Sequence, residues 1–228
     1  MTVVCAITDG THTWIGSDTY GVAGNGTPVP TGKKWFGAHG WAFGHAGDSY
    51  AAGIISQEAV HLFGNTDDPY KVISRLRTTY EVFGMKAVYG QGEATGSWLN
   101  SGILVRAGLV WDIDDRLAIN QMPSGVLHAR GCAGIEAAAA AYGFQMAQPK
   151  ASPEVLIATS LKAAARFDIH IRGAWQGRIT GESHAKRPSD PVQRPYGEVD
   201  PPGDHGGRDG QDDDSPGAEA AAGTVEHL

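Results

Sequence analysis

Apolar and polar positions change their period several times along the chain. In Val3-Val4-Cys5-Ala6-Ile7 both alternating faces are apolar, the pattern of a strand buried between two layers. Asp9-Gly10 is a hairpin turn signal and His12-Thr13-Trp14-Ile15-Gly16 follows it, so Thr2 and Asp18 are expected side by side at the open end of a hairpin. Lys34-Trp35-Phe36 and Trp41-Ala42-Phe43 form a second pair across Gly37 to Gly40, which points Lys34 and Gly47 toward one sheet edge. Residues 49 to 63 read as a helix, and Asp68-Pro69 opens another with an N-cap acid followed by proline in the first turn. Strands are expected at 102 to 105, 109 to 113, 117 to 121 and 126 to 129. An alanine-rich helix is expected at 133 to 146. Ser152-Pro153-Glu154 opens a further helix, read with Val155, Ala158, Leu161 and Ala165 inward and Glu154, Lys162 and Arg166 outward. A last strand is read at Ile169-His170-Ile171. Strands, two helices, strands and two helices suggest an α+β sandwich with helices outside two stacked sheets.

Composition sets the scale. With 228 residues, 41% of them hydrophobic, one domain can bury a substantial core without staples. Two cysteines, Cys5 and Cys132, are too few for a disulfide framework. No secretory signal precedes the first apolar segment and no apolar run approaches the roughly eighteen residues a membrane span needs. The expected setting is therefore cytoplasmic, with no membrane partner.

Charge divides the chain in two. Residues 181 to 228 hold eleven acidic residues against four basic ones, which is the whole of the formal net charge of −7. The same stretch contains six of the twelve prolines and eight glycines, with a run at Asp212-Asp213-Asp214, so it lacks the apolar material to fold. The expected organisation is a domain over 1-180 and an acidic, Pro/Gly-rich disordered tail over 181-228. A neutral domain and an acidic tail also argue against nucleic acid as a partner.

The candidate chemistry begins at Thr2. If the initiator methionine is removed, as the small side chain of Thr2 permits, a hydroxyl nucleophile and a free α-amine share one residue. An α-amine titrates near pH 7.7 to 8.0, so a modest positive field leaves much of it neutral and able to accept a proton. Lys34 is placed to supply that field and Asp18 to hold Lys34. Asp18 lies 16 positions after Thr2 and Lys34 lies 32 positions after it.

In this register the chain resembles the proteasome β-subunit family of N-terminal nucleophile hydrolases, and within it most closely the bacterial proteasome-like peptidase HslV. Gly44-His45-Ala46-Gly47-Asp48 resembles that family's strand-to-helix turn, Arg130-Gly131-Cys132-Ala133-Gly134 its glycine-rich stretch before an alanine-rich helix, and Asp168 its closing acid. The resemblance runs over about residues 2 to 178. It implies a four-layer αββα sandwich, with Thr2 as nucleophile, Lys34 as electrostatic tuner, Asp18 as its anchor, the Gly47 amide as oxyanion donor and Asp168 as an orienting acid. It further implies substrate contacts at Val22, His45 and Ser49, with His45 lining the primary specificity pocket. The implied activity is threonine-type hydrolysis of peptide or unfolded protein inside a homo-oligomeric ring or double ring, served by an ATP-dependent unfoldase and needing no cofactor.

Two positions depart from that pattern. Cys132 stands where the family has a serine that hydrogen-bonds in the site, and a thiol is the weaker donor and acceptor. A thiol just before a helix also suits a redox-sensitive site, while burial in the core is the plainer role for a cysteine. Ile171 stands where many members have a second serine. A catalytically silent scaffold subunit, or an amidase acting on small substrates, are the alternatives these departures keep open. The nine histidines form no close pair at metal-ligand spacing, so no metal is expected. Gly47-Asp48-Ser49-Tyr50-Ala51 and Gly181-Glu182-Ser183-His184-Ala185 lack the second glycine of a nucleophile elbow.

Overall fold

The computed structural model describes residues 2–23, 27–89 and 96–179. The acidic tail expected from residue 181 onward lies outside the described residues. Strands β1 (Val3–Thr8) and β2 (Thr13–Ser17) open the chain, followed by the short β3 (Tyr20–Val22) and β4 (Pro28–Pro30), then β5 (Trp35–Ala38) and β6 (Trp41–Ala46). Helices α1 (Ser49–Phe63) and α2 (Pro69–Val82) come next, then β7 (Ser101–Arg106), β8 (Leu109–Ile113), β9 (Ile119–Gln121) and β10 (His128–Gly131). Helices α3 (Gly134–Ala147) and α4 (Pro153–Phe167) and strand β11 (Trp175–Ile179) complete the described chain.

Local chemistry accounts for the turns and helix starts. Between β1 and β2, Asp9 Oδ1 accepts from the amides of Thr11 and His12 at 2.8 and 2.7 Å, and Gly10 takes a φ of +89°. His39 and Gly40, both with positive φ, make the tight connection from β5 to β6 that matches strand twist. Asp48 and Asp68 cap α1 and α2, each accepting from the amide two residues on.

Among the described residues every strand pairing is antiparallel. One sheet runs β10-β1-β2-β11, a second runs β5-β6-β7-β8-β9, and β3 with β4 forms a separate ribbon. Three apolar clusters follow from strand alternation. Trp41 and Phe43 of β6, Leu104 of β7 and Trp111 and Ile113 of β8 pack with Ile55, Leu62 and Phe63 of α1 and Val72, Leu76 and Tyr80 of α2. Val3, Cys5 and Ile7 of β1 pack with Ala137 and Ala141 of α3 and Leu156, Ile157, Leu161 and Ala164 of α4. The intervening positions, Val4 and Ala6 of β1, Ile15 of β2, Ala42 and Ala46 of β6, Ile103 and Val105 of β7 and Val110 of β8, form a third cluster drawn from both sheets. The doubly apolar run at residues 3 to 7 is thus buried on both faces, as its pattern predicts.

Small residues permit the approach of the two sheets. A Cβ on Gly44 would lie 3.2 Å from Val4 Cβ and from Ile15 Cδ1. A two-pronged Arg130–Asp112 ion pair ties β10 to β8 across the sheets.

The structure corrects three expectations from the sequence. The last strand is β11 rather than residues 169 to 171, which form a turn closed by the Ile171 amide on the Asp168 carbonyl at 3.1 Å, with Ile171 buried in the α3/α4 cluster. A three-residue alternation cannot distinguish an edge strand from a turn with one buried anchor. The inner face of α4 is Leu156, Ile157, Ser160, Leu161 and Ala164, while Val155 is 44% exposed. Ser160 interrupts the apolar stripe in sequence although it is fully buried, which masks the true face. Strand β10 begins two residues later than expected, because its pairing runs Val3↔Gly131 to Ala6↔His128.

The α4 face generates a direct test. Leu156→Ala is expected to cost about 2 to 5 kcal/mol of unfolding free energy, and Val155→Ala no more than about 0.5 kcal/mol. Urea unfolding of the two variants measures both; a reversed order would restore the face expected from sequence.

Candidate active site

Thr2 enters β1 and is 8% exposed. Its carbonyl accepts from the Cys132 amide at 2.8 Å. Gly131, at φ +98°, makes this approach possible, since a Cβ there would lie 2.0 Å from the Thr2 carbonyl oxygen. That same Cβ position is 3.2 Å from the Ala46 side chain, so the ends of β10 and β6 converge on the start of the chain.

The hairpin register places Asp18 beside Val3. The Val3 amide donates to Asp18 Oδ1 at 2.9 Å, and the Asp18 amide donates to the Val3 carbonyl at 3.2 Å. Lys34 reaches this point from the other sheet. Its own amide donates to Ser17 Oγ at 3.0 Å, and its carbonyl accepts from the His45 amide at 2.9 Å, which extends the β5–β6 ladder by one step. The Lys34 ammonium then donates to Thr2 Oγ1 at 3.1 Å, to Asp18 Oδ2 at 2.7 Å and to the Tyr20 carbonyl. The three proposed partners Thr2, Asp18 and Lys34 are therefore one hydrogen-bonded cluster.

Burial governs its electrostatics. Asp18 is fully buried and Lys34 nearly so. Desolvation lowers the Lys34 pKa below the ordinary lysine value, and the contact with Asp18 pulls it back. Desolvation likewise raises the Asp18 carboxyl, against hydrogen bonds from Lys34, Val3 and Tyr20 that favour its charged form. The result is an ammonium with little water around it, one hydrogen bond from a hydroxyl.

The turn from β6 into α1 is held by a residue the sequence reading did not single out. Asn100 is 3% exposed; its Oδ1 accepts from the Asp48 amide at 2.9 Å and lies 3.1 Å from His45 Nε2, and its Nδ2 donates to the Trp98 carbonyl at 2.7 Å. Gly47 packs against it, since a Cβ at Gly47 would fall 2.2 Å from Asn100 Oδ1. The Gly47 amide itself makes no hydrogen bond among the described residues. Asn100 has no local signature, because its partners lie 52 and 55 positions away in sequence. Ser17 and the Tyr20 carbonyl are further members that spacing alone did not mark.

The other expected site residues have these surroundings. His45 is buried at 2% exposure with its ring toward Phe43 and Asn100, on the helix side of β6. Asp168 ends α4, where its Oδ1 accepts from the His170 amide at 2.9 Å; the hydrogen bonds of Thr2 reach Lys34 and Cys132. Val22 is half-buried on β3, and Ser49 is exposed at the start of α1. Cys132 is a free, exposed thiol at the Thr2 carbonyl, not a core residue; Cys5 is the buried one, its thiol pushed up to about 12 by desolvation. Among the described residues no group of three metal-ligating side chains comes together, and no helix is long and apolar enough to cross a membrane.

Solved structures share this fold. A Thiobacillus denitrificans protein titled BPH aligns with a TM-score of 0.63 at 15% identity, over 81% of this chain and all of its own. The same protein in complex with epoxomicin aligns at 0.62 and 14% identity, over 79% of this chain and 98% of its own. Eukaryotic HslV from Trypanosoma brucei aligns at 0.59 and 14% identity, over 78% of this chain and 99% of its own. No protein-family model matches the chain, and no curated protein does. The likeness to HslV noted in the sequence is matched at the level of fold.

The buried ring of His45 carries a pH signature. Desolvation lowers its pKa to about 4, below the ordinary value of 6.5. As pH falls through about 6.5 the unfolded chain takes up a proton that the folded chain refuses until about pH 4, so stability is lost across that window. The expected loss is on the order of 3 kcal/mol. Urea unfolding at several pH values, compared with His45→Gln, is expected to show the steeper acid loss in the parent chain; equal slopes would contradict a buried neutral ring.

Proposed function

We propose, from a fold shared with HslV and a hydroxyl, ammonium and carboxylate joined at one sheet end, that this chain is a threonine-type N-terminal nucleophile peptidase. The observation that carries the reading is the Lys34 ammonium 3.1 Å from Thr2 Oγ1 and 2.7 Å from Asp18. In the matured chain, starting at Thr2, the α-amine takes the hydroxyl proton directly or through a water as Oγ attacks the substrate carbonyl. The adjacent ammonium favours the developing alkoxide and keeps the amine neutral at physiological pH. The Gly47 amide, at the mouth of α1, receives the oxyanion. As the tetrahedral intermediate collapses, the protonated α-amine returns that proton to the leaving nitrogen, so the C–N bond breaks to release a neutral amine and leaves an ester on Thr2, which water hydrolyses. Asp168 orients the terminal amine, and Val22 and Ser49 border the substrate.

The layer order proposed is αββα, with the three apolar clusters as its interfaces. Peptide or unfolded protein is the proposed substrate, and a cytoplasmic, homo-oligomeric ring fed by an ATP-dependent unfoldase is the proposed assembly. The outward face of α3 supports assembly: Ile135, Tyr142 and Met146 are 84%, 61% and 66% exposed and recur at helical spacing on one side. A silent scaffold subunit is the second reading, favoured by Ile171, which serves the core at the position where a polar site residue was expected.

Two experiments test this. Intact mass of purified protein is expected to show loss of the initiator methionine and one adduct after treatment with epoxomicin. Thr2→Ala is expected to abolish the adduct and Lys34→Ala to slow peptide hydrolysis by at least about 10²-fold. Processed protein with neither adduct nor turnover would support the scaffold instead. For assembly, Ile135→Glu with Met146→Glu is expected to reduce the particle mass seen by native mass spectrometry; an unchanged particle would remove α3 from the interface.

A further inference from the structure

A buried polar group that the reaction scheme leaves unused sits directly behind the turn carrying Gly47. Asn100 stands at the end of the segment leading into β7, while the turn it grips links β6 to α1. Its amide is hydrogen-bonded at both ends. Because Oδ1 already accepts from the Asp48 amide, and an amide oxygen has no proton to give, the contact with His45 requires Nε2 to carry the hydrogen. The Nδ2 end is fixed by the Trp98 carbonyl, so the side chain cannot flip without placing like groups together. The His45 ring is therefore a spacer that locks the Asn100 oxygen, and the Asn100 oxygen locks the peptide between Gly47 and Asp48. Gly47 is pressed onto the same oxygen, closely enough that a methyl group has no room.

From this geometry we infer that Asn100 is a positioning residue, held by His45 and Trp98, that fixes the aim of the Gly47 amide at the oxyanion. The inference rests on the peptidase reading proposed above. Gly47 is held through its Cα, which packs against Asn100, and through the following peptide, whose Asp48 amide is bonded to Asn100, while its own amide has no partner among the described residues, as a preorganised donor requires. A contact that acts only on a developing oxyanion changes kcat and leaves substrate binding nearly untouched.

Steady-state hydrolysis of a fluorogenic peptide amide by the full chain, with Asn100→Asp and Asn100→Ser, tests this. Asn100→Asp keeps an acceptor for the Asp48 amide and for His45 but sets a second oxygen against the Trp98 carbonyl, and is expected to lose no more than about 10-fold in kcat with KM changed less than about 3-fold. Asn100→Ser is too short to reach them; it is expected to lose about 10²-fold in kcat with KM changed less than about 3-fold. If the serine variant does not unfold cooperatively, Asn100→Thr, which fills more of the site, replaces it under the same expectation. Equal kcat losses in the aspartate and short-chain variants, a loss confined to KM, or no loss at all would each overturn the inference. A parent chain without turnover or epoxomicin adduct would overturn the peptidase reading itself, and the positioning role with it.

Discussion

A charged lysine and a charged aspartate placed together away from water constrain the rest of this molecule. Taking either ion out of solvent costs several kcal/mol, and their mutual attraction offsets that only when geometry is good and the remaining hydrogen-bonding capacity is filled. Here it is filled from two sheets. Asp18 takes Lys34 on one oxygen and the Val3 amide on the other, and Lys34 gives its remaining hydrogens to Thr2 Oγ1 and the Tyr20 carbonyl. Neither strand pair can shift register without stranding a buried charge. The Thr2 hydroxyl is thus held by the same interaction that fixes how the hairpin of β1 and β2 meets the end of β5.

That meeting requires the two sheets to come close, and side-chain size decides whether they can. Alanines at 6, 42 and 46 and glycine at 44 line the space between them, with larger Val4, Ile15, Ile103, Val105 and Val110 interleaved. Gly131 serves a second close approach, where β10 passes the Thr2 carbonyl. Bulk is kept for the outer clusters, where Trp41, Trp111, Phe63 and Tyr80 fill the larger gap between a sheet and its helices. Packing small against small inside and large against helix outside brings the ends of β1, β6 and β10 to one place.

The buried polar groups behind the Gly47 turn follow the same accounting of partners. Asn100 is tolerated because each end of its amide is satisfied, and His45 because its neutral ring meets an acceptor. Cys132 illustrates the opposite condition. Its amide is committed to the Thr2 carbonyl while the residue itself stays exposed.

Much of this was legible in the sequence. The doubly apolar run at 3 to 7, the Asp9-Gly10 turn and the cap at Asp68 are local signals, set by φ/ψ preference and by amides that need a nearby acceptor, and each element formed where they point. Local hairpin register sufficed to bring Asp18 to the Thr2 end of β1, where the structure sets it beside Val3. What lay beyond the sequence were relations between segments far apart in the chain. Asn100 gained its role from contacts half a domain away, His45 turned toward the helices because strand alternation across two sheets allots that face, and α4 rotated to bury Leu156 and Ile157 over a hidden serine. Short-range patterns are fixed by neighbouring residues, whereas which face is inside depends on what the completed fold sets against it.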